Sequence, residues 1–132
     1  MTHSVRHVSV GIERPPADVY AFASNPENLP RWARGLSGSI AKIDGEWVAA
    51  SPMGRVKVLF AEPNPFGVLD HDVVLESGER FSNPMRVVPN GDGSELTFTL
   101  FRRPGMSDAQ FLADAEAVAR DLETLKALLE RR

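Results

Sequence analysis

The sequence predicts an α+β fold: a seven-stranded, curved antiparallel sheet wrapped around a long C-terminal helix, with two short helices after the first strand. Three observations carry this. Residues 107–131 hold one continuous apolar stripe at helical spacing. Residues 39–103 are a run of short alternating segments separated by Gly, Pro and Asn turns. Residues 8–12 alternate Val8, Val10 and Ile12 with Ser9 and Gly11 before Pro15-Pro16 ends the pattern. The order is β-α-α-β-β-β-β-β-β-α. Consecutive hairpins make such a sheet antiparallel, and only the last helix is long enough to cover its apolar face.

Each element has its own warrant. Pro16 suits a first helical turn, and residues 17–24 place Val19, Tyr20, Phe22 and Ala23 at helix-like spacing. Asn25-Pro26 starts a second short helix, with Asn25 as cap, and Trp32 follows Pro30 near its end. Asp44-Gly45 joins residues 39–43 to 46–51 as a two-residue hairpin. Gly54 opens a strand over 55–62, and Pro63-Asn64-Pro65 forms a loop. Residues 67–76 and 79–88 read as strands joined at Ser77-Gly78, with Asn90-Gly91-Asp92-Gly93 turning into a strand over 95–103. Ser107 and Gln110 form a capping box for the final helix. Phe111, Ala115, Val118, Leu122, Leu125 and Leu129 make its stripe, and Leu112, Ala119 and Leu128 widen it.

The 132 residues suit a single domain, 1–132, with enough chain for one core. Apolar residues make up 42% and charged residues 25%, which excludes wholesale disorder. No apolar run reaches membrane-spanning length, and residues 1–10 lack the apolar stretch of a secretory signal, so the expected location is cytoplasmic. There are no cysteines, which removes disulfides, thiolate metal sites and a cysteine nucleophile. Fifteen Lys+Arg against eighteen Asp+Glu give a net charge of −3, with no basic stripe for nucleic acid or an anionic membrane surface. Phosphate-binding and dinucleotide motifs are absent, so no cofactor is expected.

Ile12-Glu13-Arg14-Pro15-Pro16-Ala17-Asp18-Val19-Tyr20, then Asn25-Pro26-Glu27-Asn28-Leu29-Pro30-Arg31-Trp32, the strand order and the long last helix together resemble the START/birch-pollen-allergen-like (SRPBCC) superfamily and its polyketide cyclase/dehydrase-like members. The resemblance covers nearly the whole chain. It implies the helix-grip fold, with a cavity between sheet and helix, and does not imply a reaction. Its members include lipid carriers, hormone-binding proteins, aromatase/cyclases and cochaperone-like domains.

His71 is the foremost candidate for chemistry. Strand alternation sends Asp70 and Asp72 to one face and His71 to the other, with Leu69, Val73 and Leu75, so Asp-His-Asp does not converge on a metal. Its ordinary reading is a histidine satisfied by a neighbouring group. Its functional reading is a cavity group that orients a ligand carbonyl or hydroxyl, or moves a proton. His3 and His7 stand about 13 Å apart on an extended strand, too far for one metal, and no metal is expected. Trp32 and Trp47 are placed at the cavity mouth, with ordinary core packing as the alternative. Phe60, Leu69, Val73, Phe81, Met85, Phe98, Leu100, Phe111 and Val118 complete the expected lining. Pro84 leaves two strand phases open: Arg86 faces outward, or a bulge turns it inward towards a carboxylate.

The resulting expectation is a monomer or homodimer that binds a small hydrophobic ligand, an apolar or aromatic metabolite, in the grip cavity. The alternatives are a polyketide cyclase/dehydrase-type enzyme with His71 as acid/base, and a cochaperone-like protein-interaction domain.

Overall fold

The computed structural model describes residues 1–36 and 38–131 and has the helix-grip architecture. β1 (Val5–Ile12) leads into α1 (Pro16–Ala23), a 3-10 turn (Pro26–Asn28), α2 (Leu29–Trp32) and a second 3-10 turn (Arg34–Leu36). There follow β2 (Ile40–Ile43), β3 (Glu46–Ser51), β4 (Gly54–Phe60), β5 (His71–Val74), β6 (Arg80–Asn83), β7 (Met85–Asn90) and β8 (Gly93–Phe101), and then α3 (Asp108–Glu130). All strand pairs are antiparallel, in two ladders ordered β1-β8-β7 and β2-β3-β4-β5-β6.

The ladders are joined where β6 runs into β7, so the sheet has the seven-strand outline, with residues 80–90 as one bent strand. Pro84 makes the bend. It has no N–H to give, so the β5 pairing stops at His71–Asn83 and the β8 pairing starts at Phe98–Met85. The phase does not reverse. Phe81 and Asn83 are half-buried, Met85 and Val87 are buried on the same side, and Arg86 points outward.

The strand expected over 67–76 is shorter, running only from His71 to Val74, with a single bridge at Val68–Arg86 before it. Asn64 explains the difference. Its side-chain oxygen accepts from the backbone N–H of Phe66 (3.0 Å) and Val68 (3.1 Å), and its Nδ2 donates to the carbonyls of Glu62 and Val68 (both 3.0 Å). These local bonds compete with the ladder and hold a loop. Gly67 then crosses at φ +72°, where a Cβ would lie 2.2 Å from the Val87 carbonyl oxygen.

α3 begins as expected. Ser107 accepts from the Gln110 N–H and the Gln110 side chain accepts from the Ser107 N–H. Leu122, Leu125 and Leu129 are at most 1% exposed, each contributing roughly 1.5–3 kcal/mol on burial. Leu112 does not widen the stripe; it is 46% exposed. It lies one residue past Phe111, about 100° around the helix, beyond the edge of the sheet-facing side. At the other end, Arg14 donates to the Leu129 carbonyl at 2.9 Å, and Lys126 donates to the Gly11 carbonyl at 2.6 Å. The corner between β1 and α1 thus clasps the end of the helix. The core lies between this helix, α1, α2 and the concave sheet face, with Ile12, Val19, Leu29, Val58, Leu69 and Leu96 at its centre.

Candidate functional site

His71 is the first residue of β5, opposite Phe60 on β4 and Asn83 on β6. Alternation turns its neighbours away. Asp70 binds Arg86 and Asp72 pairs with Arg80 at 3.6 Å, both on the outer face. Among the described residues no cluster of three or more His, Asp or Glu is placed to hold a metal.

The His71 ring is 7% exposed and lies between two aromatic rings. Phe60 is 5.0 Å away, centroid to centroid, and Phe98 meets it edge-on at 6.1 Å. Its Nδ1 is 3.1 Å from the Leu69 carbonyl oxygen. A carbonyl only accepts, so Nδ1 carries the proton and, in the neutral ring, Nε2 is the acceptor. Burial lowers the imidazole pKa below its ordinary 6.5; the Leu69 hydrogen bond and the Asp70 and Asp72 charges oppose this. The fold therefore holds a neutral histidine of defined tautomer, able to accept a hydrogen bond or a proton at Nε2.

This ring forms part of the wall of a cavity of about 140 Å³ between the sheet and α3. Trp32 from α2, Phe98 from β8, and Val118 and Leu122 from α3 are further walls. Gly35, Leu36 and Asn83 line this space and also a wider groove of about 620 Å³ running towards the end of the sheet. The groove is walled by Val73, Phe81 and Leu100 and rimmed by Arg80, Arg102 and Arg103. Arg103 stacks over the Phe81 ring at 4.3 Å and pairs with Asp114 at 3.7 Å.

Of the residues expected to line a cavity, the structure brings Trp32, His71, Phe98 and Val118 to the inner space and Val73, Phe81 and Leu100 to the groove. The others stand elsewhere. Leu69 and Met85 are fully buried in the core, and Phe60 backs His71. Trp47 lies beneath the Lys42 ammonium at 6.0 Å, and Phe111 beneath Arg6 at 5.9 Å. Alternation and helical spacing select a face of the sheet or helix, and a face is longer than the cavity it borders.

Two polar residues of this wall stand outside the expected lining, although alternation along the strand already turns Asn83 inward. Asn83 is in phase with Phe81 and Met85, a visible sign that it faces inward. Asp121 falls one helical turn after Val118, at the margin of the apolar stripe. Burial raises the Asp121 pKa above 3.8, opposed by the Arg34 N–H that donates to it at 3.2 Å and by the Arg120 and Arg34 charges. Trp32 is itself only 3% exposed, and its buried Nε1–H has no hydrogen-bond partner among the described residues.

The family pattern described as polyketide cyclase / dehydrase and lipid transport matches residues 3–130. The chain belongs to this family, within the SRPBCC superfamily. Comparison with curated proteins finds no match. Among solved structures, that of Ara h 8.0201 superposes with a TM-score of 0.68 at 13% identity, covering 98% of this chain and 99% of that one. The Aha1 dimer from Colwellia psychrerythraea gives 0.74 at 15% identity, covering 96% of each chain. DynU16, a putative protein in the dynemicin biosynthetic locus, gives 0.72 at 14% identity, covering 96% of this chain and 47% of that one. At these identities the likeness is one of fold. Among the described residues no helix of this family member is long and apolar enough to cross a membrane.

Proposed function

We propose that this chain binds a small apolar or aromatic metabolite, with one ring in the inner cavity and the remainder in the groove. The supporting observation is the pairing of a mainly apolar space of about 140 Å³ with a buried, neutral histidine at its wall. A cavity of about 150 Å³ is enough for a benzene-sized molecule. Aromatic and aliphatic walls with a few fixed polar groups are the usual make-up of a small-molecule site. The aromatic rings of Trp32 and Phe98 in the wall favour a flat guest.

Native mass spectrometry of protein purified gently from its own host tests this. The expected result is a stoichiometric small-molecule adduct, released on denaturation and containing at least one ring. If the protein is free of adduct and also fails to take up single-ring aromatics at millimolar concentration, the reading falls.

A further inference from the structure

We propose that the inner cavity selects a ring bearing a hydroxyl, a phenol or enol, and that this hydroxyl donates to His71 Nε2. The inference rests on the cavity reading above and narrows it to a chemical class and an orientation. The Leu69 carbonyl fixes the proton on Nδ1, so the neutral ring turns an acceptor, not a donor, to a guest. Among the described residues the other polar side chains of the wall are Asp121 and Asn83, and the carboxylate of Asp121 adds further acceptor oxygens. A carboxylate guest brings no proton for the imidazole or for Asp121, and neither does a ketone or an ether; of these side chains only the Asn83 amide has an N–H to give them. An ammonium brings protons but no lone pair.

Trp32 shares this wall, and its Nε1–H is buried with no acceptor among the described residues. A hydroxyl fits these groups: its proton goes to the imidazole, and its oxygen remains able to accept from the Asn83 amide. The size agrees, since the space is enough for one ring, and the groove for whatever the ring carries lies across Gly35, Leu36 and Asn83, which line both. The guest therefore enters hydroxyl first, with its substituents towards the arginine-rimmed groove.

The test compares phenol with anisole, which keeps the ring and the oxygen but lacks the proton, with benzylammonium as a third probe. Dissociation constants come from NMR titration of the wild-type protein. Phenol is expected to bind about 10-fold tighter than anisole, the scale of one neutral hydrogen bond. Long-range ¹H–¹⁵N spectra of the His71 ring are expected to show a protonated Nδ1 and a bare Nε2 whose resonance moves on phenol binding. His71→Phe, which keeps an aromatic ring but removes the acceptor, should bind anisole and lose the preference. Equal affinity for phenol and anisole overturns the hydroxyl assignment and leaves the cavity reading standing. Tighter binding of benzylammonium overturns it in favour of Asp121 as the recognising group. Binding of none of the three overturns both readings. The wild-type comparison and the ring spectra need no variant, so misfolding of His71→Phe does not rescue the proposal.

Discussion

Asp70 closes the gap that Pro84 opens in the sheet, and Arg86 holds it in place. The Asp70 carboxylate accepts from Arg86 Nε at 3.0 Å and from its terminal nitrogen at 2.8 Å, and the same carboxylate takes the Met85 N–H at 2.9 Å. The pair sits on the outer face, one residue before His71, and fixes the phase that turns the imidazole inward.

Removing the two partners should therefore cost different amounts. Arg86→Ala loses an exposed ion pair, about 0.5–1 kcal/mol. Asp70→Ala also strands a part-buried backbone N–H and should cost about 1–2 kcal/mol. The Arg86 hydrogen bond is the main reason the Asp70 pKa lies below 3.8. A depressed carboxylate contributes stability above its unfolded pKa and loses it as pH falls from about 3.8 through the folded value. Urea unfolding of wild type and Arg86→Ala across that range should show the difference shrinking with acid.

His71 predicts a second pH dependence at higher pH. Its pKa in the folded chain lies below 6.5 because of burial, so as pH falls past 6.5 the unfolded chain binds a proton that the folded chain refuses. Stability falls as pH is lowered through that window, until the folded pKa is reached. Denaturant midpoints between neutral pH and pH 5 should show this loss in the wild type, and His71→Phe should lack that part of it.

Most of the fold was legible because its signals are local. Ser107 and Gln110 announce the start of α3, Asp44-Gly45 marks a hairpin, and the Leu122-Leu125-Leu129 spacing names the buried side of the helix. The loop before β5 was not legible, since the Asn64 side chain replaces ladder bonds without any change in the apolar alternation. The site was half legible. Alternation placed His71 inward and separated it from Asp70 and Asp72. Its tautomer comes from a contact with Leu69, two residues back, and its companions Trp32 and Asp121 arrive from distant segments whose meeting only the packing decides.

Asp121 is a stability cost retained at the cavity. Burial raises its pKa, so the folded chain keeps a proton that the unfolded chain releases as pH rises above 3.8, and stability declines through that window to a lower plateau. Asp121→Asn removes the charge, while its amide oxygen can still accept the Arg34 N–H. Thermal melts at neutral pH should show a small rise in Tm, and melts near pH 3 a much smaller one.

Asn64 is the organising residue of the loop that delivers His71 to the sheet. Asn64→Ala removes four side-chain hydrogen bonds to Glu62, Phe66 and Val68 and should cost about 2–3 kcal/mol. Asn64→Asp keeps the two accepted bonds but sets carboxylate oxygen against the carbonyls of Glu62 and Val68, so it should fall short of wild type as well. Amide hydrogen exchange should report faster exchange at Phe66 and Val68 in Asn64→Ala and largely retained protection there in Asn64→Asp.

The account stands on a guest occupying the space between the sheet and α3. Its most direct test is a methyl and indole NMR titration with single-ring aromatics at millimolar concentration. Saturable shifts at Val118, Leu122 and the Trp32 indole N–H, with the outer-face threonines Thr97 and Thr99 unmoved, are the predicted result. Saturation absent from all three reporters, or confined to the outer face, would contradict it.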